Sequence, residues 1–201
     1  MSATPFHRIA AASLLLTGFL AAACSHEGPP APPEKTLPVL NEIGEFRLTD
    51  QTGREFGRDD LLGRTWVATF FFSSCPSVCP AIMNELRRVD AAFADDDRLG
   101  ILGITVDPAN DTPERLAAWA EEEGFPRDRW VFLTGPEPAL KEVAEESFLL
   151  AFRGLAHPTR LVLVDARGRI RGYYEGLDDR ESVDELIADL PAVLDEGEPR
   201  P

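Results

Sequence analysis

Sulfur and imidazole are scarce in this chain: its 201 residues include three cysteines, three histidines and two methionines. One methionine is Met1, which leaves Met83 alone and excludes a methionine-rich metal track. Long apolar runs are missing too. The stretch from Ile9 to Ala23 is about 15 residues, shorter than the roughly 20 that a membrane-spanning helix needs. Basic side chains are outnumbered, 20 Lys and Arg against 35 Asp and Glu, for a formal charge of −15. That balance argues against nucleic acid or an anionic lipid surface as partner. It would suit a cationic protein patch or a metal ion, although an acidic surface commonly serves solubility alone. No internal repeat is visible.

What is present begins with a leader. Arg8 precedes the apolar run, which ends in Ala21-Ala22-Ala23 ahead of Cys24, the outline of a secretory signal over residues 1–23. Small residues before a cysteine resemble a bacterial lipoprotein box, which implies lipidation of Cys24 and a membrane-tethered product. An uncleaved anchor and an ordinary secretory signal are the alternatives. All three place the folded part outside the cytoplasm, in a bacterial envelope at the periplasmic or outer face of a membrane. Residues 24–38 are rich in proline and read as a semi-extended tether, in which His26 is a solvated histidine. Residues 39–195 suffice for one domain with one core, and 196–201 form a tail.

With Cys24 assigned to lipid, Cys75 and Cys79 are the cysteines left to that domain. Such a pair closes too small a loop to serve as a scaffold, so it suits chemistry better than structure. The pair follows Trp66-Val-Ala-Thr-Phe-Phe-Phe72, an apolar run with the pattern of a strand buried on both faces. After it, Ile82, Leu86, Val89 and Phe93 recur at helical spacing, so a helix starts at or near the cysteines. Amide groups and dipole at a helix N-terminus favour thiolate over thiol. If both cysteines lie on the helix, i and i+4 stack on one face with Cα atoms about 6 Å apart, within disulfide range. The same geometry lets two sulfurs converge on a soft metal ion. A redox pair, a metal clamp, or both are open. The plainer alternative, two cysteines packed as small hydrophobes, is disfavoured by the flanking Ser and Pro residues.

Around this centre, residues 45–56 alternate and turn at Asp50 to Gly53, predicting a β-hairpin. Leu99 to Val106 is a second buried strand ending in Asp107-Pro-Ala-Asn-Asp111-Thr112-Pro113, where Thr112 or Asp111 can cap the next helix. Asp107 is better placed as a turn or cap residue than as a ligand. Trp130 to Leu133 is a third strand, and residues 138–149 a helix. Residues 160–165 and 170–174 pair across a turn at Arg167-Gly168, and residues 181–194 close the chain as an amphipathic helix. This order describes an α/β domain, a central mixed sheet flanked by helices with an N-terminal β-hairpin, and the thioredoxin-like fold has it.

At this point the chain resembles the Sco/SenC family, thioredoxin-fold copper chaperones that help build the dinuclear copper centre of cytochrome c oxidase. Phe70-Phe-Phe-Ser-Ser-Cys75-Pro-Ser-Val-Cys79-Pro80 resembles the family's metal-binding motif, and Thr105 to Pro113 its second signature. His157, eight residues before Asp165, stands where the family has its third ligand. The aspartate usual before that histidine is Ala156 here, and the preceding segment is short. The resemblance implies Cys75, Cys79 and His157 as copper ligands and a reversible Cys75–Cys79 disulfide. Two thiolates and an imidazole suit Cu(I), with Cu(II) also open; zinc ordinarily wants a fourth ligand. Implied partners are a copper-accepting oxidase subunit and another periplasmic copper chaperone or thiol reductase. The second reading is a thiol–disulfide oxidoreductase acting through Cys75 and Cys79, with Ala156-His-Pro158-Thr as the cis-proline loop of such enzymes. A metal-free redox sensor is the third.

Overall fold

The computed structural model describes residues 35–155 and 157–196. The leader, Cys24, residues 25–34 with His26, Ala156 and residues 197–201 lie outside the described residues. Eight strands build one sheet: β1 (Asn41–Glu42), β2 (Arg47–Asp50), β3 (Glu55–Gly57), β4 (Thr65–Phe71), β5 (Leu99–Thr105), β6 (Trp130–Thr134), β7 (Arg160–Val164) and β8 (Arg169–Glu175). Their order across the sheet is β1-β8-β7-β4-β5-β6-β2-β3. The helices are α1 (Val78–Ala92), α2 (Pro113–Glu122), α3 (Glu137–Glu142) and α4 (Arg180–Glu196).

The two unbroken apolar runs become the sheet's centre. Every residue of β4 and β5 is buried, and the strands run parallel from Thr65 opposite Leu99 to Phe71 opposite Thr105. Alternation along β4 then divides the core in two. Val67 and Phe71 pack with Ile82 and Leu86 of α1, Trp119 of α2 and Leu186 of α4. Trp66, Ala68 and Phe70 pack on the opposite face with Leu140, Val143 and Phe148. Helices therefore cover both faces, and the expected thioredoxin-like fold is found. Residues 45–56 make the predicted hairpin, β2 against β3, which extends the sheet beyond β6.

Three details differ from the sequence reading. Strand β1 is two residues long, too short for any periodicity to announce it, and it pairs with β8. Leu37 is buried and its carbonyl accepts from Arg171, so the last residues of the proline-rich segment pack on the domain. The helix expected over residues 138–149 is regular only to Glu142 and then widens into a π-turn, Val143–Ser147. That widening drives Phe148 inward, edge-on to Phe70 with ring centroids 5.6 Å apart.

Strand direction decides where chemistry can gather. Because β4 and β5 are parallel, the turns leaving them toward α1 and α2 lie side by side at one end of the sheet. Strand β7 is antiparallel to β4, so the loop that feeds it arrives at that same end. Residues near 75, 111 and 157 are thus brought together by topology.

Candidate functional site

Helix α1 begins at Val78, so Cys75 lies in the turn before the helix and Cys79 in its first turn. The two are not stacked on successive turns, as the i, i+4 argument assumed. The contact is closer: Ser77, the N-cap, makes no side-chain cap, and the Cys79 amide donates instead to Cys75 Sγ at 3.3 Å. A sulfur takes the place that a capping oxygen usually fills. Both cysteines are unbonded here.

The pair is electrostatically split. Burial alone would raise the Cys75 thiol, but hydrogen bonds from the Cys79, Ser77 and Val78 amides and from the Cys79 thiol outweigh it, and its pKa falls below the ordinary value. Cys79 is buried, and that burial, helped by its acidic neighbours Cys75 and Asp111, pushes its thiol up to about 12. The expectation that the helix terminus favours thiolate therefore holds for Cys75 and not for Cys79. Alkylation should follow this split. Iodoacetamide at pH 8 should label Cys75 well ahead of Cys79, because the thiolate is the reacting form, and peptide mapping that found equal rates would refute the split.

His157 reaches the same place from the loop before β7. Its Nε2 lies 3.7 Å from Cys79 Sγ. Its Nδ1 lies 2.9 Å from the Pro158 carbonyl, a pairing that makes Nδ1 the protonated nitrogen and leaves the Nε2 lone pair facing sulfur. Burial holds the imidazole pKa below its usual value, so the neutral ring prevails near pH 7. Phe72 sets the ring's angle edge-on, 5.9 Å between centroids. No peptide bond among the described residues is cis, so the His157–Pro158 bond is trans and this loop lacks the cis-proline of the oxidoreductase reading.

Cys75, Cys79 and His157 thus form a chain of contacts. Among the described residues, no three His, Cys, Asp or Glu side chains already converge as a preformed metal cage. The donor set nevertheless fits a soft ion. With metal–sulfur and metal–nitrogen bonds of about 2.3 and 2.0 Å and angles of about 110–120°, sulfur and nitrogen on one ion sit about 3.5–3.7 Å apart. Cys79 and His157 already stand at that separation. A cleft of about 310 Å³ opens beside the cysteines, with Phe72, Met83 and Trp119 in its wall. Met83 itself is part of the buried core.

Residues that the sequence reading treated as local turn pieces also belong here. Thr112 caps α2, accepting from the Arg115 amide at 3.3 Å. Asp111 reaches instead to Ser73, and Asp107 accepts from the Asn110 side chain at 2.8 Å as a turn residue. The signal was available: with Thr112 able to cap, Asp111 had no local task.

A thiol pair and an imidazole gathered at the strand ends of a thioredoxin-like sheet define a domain built for soft-metal or thiol chemistry. The SCO1/SenC family model matches residues 35–194, and the chain belongs to that family. Among solved structures, a SCO1/SenC family lipoprotein from Bacillus anthracis is 26% identical, with a TM-score of 0.70 over 77% of this chain and 96% of that one. BsSco, described with a disulfide switch and as a member of the Sco family of cytochrome c oxidase assembly proteins, is 26% identical, with a TM-score of 0.71 over 80% and 98%. Bradyrhizobium japonicum ScoI with copper bound is 25% identical, with a TM-score of 0.65 over 76% and 99%.

Proposed function

We propose that this protein binds Cu(I) through Cys75, Cys79 and His157 and carries it as cargo to the copper-accepting subunit of cytochrome c oxidase. The observation that carries this reading is the approach of His157 Nε2 to Cys79 Sγ at 3.7 Å, with the other ring nitrogen engaged by a carbonyl. That arrangement fixes the tautomer a metal requires. Cys75 Sγ, held on the Cys79 amide, completes a sulfur-rich set by a side-chain rotation. Support also comes from the copper-bound relative and from the oxidase-assembly description of BsSco. Titration of the reduced protein with Cu(I), followed by X-ray absorption, should return one ion with two sulfur ligands and one nitrogen. An ion bound without sulfur would overturn the assignment.

Closing the Cys75–Cys79 disulfide consumes both sulfur donors. Mild oxidation of the loaded protein by a disulfide reagent should therefore release essentially all of its copper, and re-reduction should restore binding. Copper retained after the thiols are titrated to zero would contradict this.

The lipid anchor belongs to the same proposal. The Ala-Ala-Ala-Cys24 pattern and the lipoprotein description of the Bacillus anthracis relative support a cleaved leader, a lipidated Cys24 and a domain held at the outer or periplasmic face of a membrane. Mass analysis of the mature N-terminus tests it. Among the described residues no helix is long and apolar enough to cross a membrane.

One observation favours a second activity of the same pair, thiol–disulfide exchange. Cys75 is half-exposed and acidified while Cys79 is buried and protonated, the division between an attacking and a resolving thiol. In that step the Cys75 thiolate attacks an acceptor disulfide and expels one acceptor thiolate. Cys79 then displaces the second, leaving a Cys75–Cys79 disulfide and a reduced acceptor.

A further inference from the structure

Beside the donor chain lies a carboxylate that neither the metal reading nor the exchange reading uses. Asp111 is fully buried, yet it sits in the turn between β5 and α2 and caps nothing. Its Oδ2 accepts from the Ser73 amide at 3.1 Å and from the Thr105 hydroxyl, and its Oδ1 accepts from the Ser73 hydroxyl. A buried carboxylate is costly unless its lone pairs are satisfied, and three donors, from Ser73 in the turn after β4 and from Thr105 at the end of β5, converge on this one. Two of the three come from Ser73, two residues ahead of Cys75.

The position of this contact matters. The β4–β5 ladder ends with the Val106 amide donating to the Phe71 carbonyl at 2.8 Å, after which the strands part toward their helices. From there the backbone of 72–77 must turn sharply, and the Cys75 amide closes that turn on the Phe72 carbonyl at 3.2 Å. Ser73 is the point at which this turn is fastened to the neighbouring one. Cys79 is fixed independently, by burial in the first turn of α1. The fastening at Ser73 therefore governs the height of Cys75 relative to Cys79 and His157 more than it governs Cys79 itself.

We propose that Asp111 is the positioning residue for Cys75: through Ser73 it holds the cysteine-bearing turn at the place where its sulfur can share an ion with Cys79 and His157. The inference rests on the proposed metal site for its copper arm, and the geometry of the turn carries a second arm that needs no metal. Residues that support ligands from behind typically cost about 10–100-fold in metal affinity when removed. Here the loss should fall on one named sulfur.

The test uses the reduced protein with Asp111→Asn, Ser73→Ala and both together. Asparagine keeps the size of the side chain but turns an acceptor into a donor, facing groups that themselves donate. Three readouts are taken: Cu(I) affinity against a chromophoric chelator, sulfur count by X-ray absorption, and the metal-free alkylation rate of Cys75 across pH. D111N should lower Cu(I) affinity about 10–100-fold. It should also reduce the sulfur count toward one and change the Cys75 alkylation rate at least threefold. S73A should act in the same direction, and the double variant should be no worse than D111N, because both act through one contact. Affinity and alkylation within twofold of the parent would overturn the proposal, as would effects of the two substitutions that multiply. If the parent itself took up no Cu(I), the metal reading would fall, and the alkylation arm would decide the positioning role by itself. If D111N did not fold, S73A at its half-exposed site would decide it by the same criteria.

Discussion

Replacing His157 with alanine yields a folded protein that has lost three-donor Cu(I) binding. The ring is half-buried, touches Phe72 edge-on and bonds the Pro158 carbonyl, but it belongs to neither core cluster. Removing it should cost roughly 1 kcal/mol of stability, in the ordinary range for a site of this kind. Its loss from the metal site is of another order. The Nε2 lone pair is the nitrogen donor within reach of Cys79, and without it an ion keeps two sulfurs. Losing a direct ligand should exceed the 10–100-fold typical of a supporting residue. The expected outcome is a Cu(I) affinity more than about 100-fold weaker, a nitrogen shell missing from X-ray absorption, and a thermal midpoint within a few degrees of the parent. An unchanged affinity would remove His157 from the site. A large fall in midpoint would mean that the ring's burial, rather than its lone pair, accounts for its place.

This effect separates the two activities that share the cysteines. Exchange chemistry needs Cys75 and Cys79 and makes no use of the Nε2 lone pair as a metal ligand, so H157A should spare reduction of a disulfide substrate while abolishing copper retention. Cys75→Ser should damage both. The division follows from geometry: the imidazole faces the buried sulfur, and the exposed sulfur faces the helix terminus.

How much of this could be read in advance differs by residue. The buried strands over 66–72 and 99–105 were legible because a short, mostly apolar run with β-branched and aromatic residues and no charged interruption fits a strand covered on both faces. The helix after Cys79 was legible because its period is unambiguous. The position of Cys75 outside the helix was not legible, since the spacing is the same whether the first thiol precedes the helix or lies on it. Nor could spacing rank the thiols. Their split comes from the burial of Cys79 in the core and from the helix-terminal amides that bond Cys75, both products of the folded turn. The proximity of His157 to Cys79, 78 residues apart in sequence, depends on β7 running antiparallel to β4. No local signal carries that; a resemblance to a known family did. Asp111 was seen as one of two caps, and only the closing of Thr112 on Arg115 released it for Ser73.

Substituting Asp165 should produce a large loss of stability. Asp165 is buried at the β7–β8 turn, where its Oδ1 accepts from the Arg167 and Arg169 amides at 2.9 and 3.0 Å. Its Oδ2 pairs with Arg169 and with Arg171, which is equally buried. Arg171 in turn spans to Glu196 of α4 and to the Leu37 and Pro38 carbonyls, so one carboxylate joins the hairpin, the last helix and the start of the domain. Two effects can be told apart. Asp165→Asn keeps the Oδ1 acceptor and loses the charge, while Arg171 keeps Glu196; this should cost about 1–3 kcal/mol. Asp165→Ala loses both, strands the amides of a turn whose Gly168 sits at φ 75°, and should cost about 3–5 kcal/mol. For a domain of this size that is a fall of roughly 6–20 °C in thermal midpoint. The pH dependence has a fixed sign. Burial opposes ionisation of Asp165, but the bonds from Arg169 and the turn amides prevail and set its folded pKa below the ordinary 3.8. A carboxylate with a depressed folded pKa contributes stability that is fully present above its unfolded value and is lost as pH falls through the folded one. Urea denaturation should therefore show the parent's advantage over Asp165→Asn intact at pH 7 and pH 5 and shrinking only below about pH 4. An advantage that faded between pH 8 and pH 6 would assign the effect to some other group.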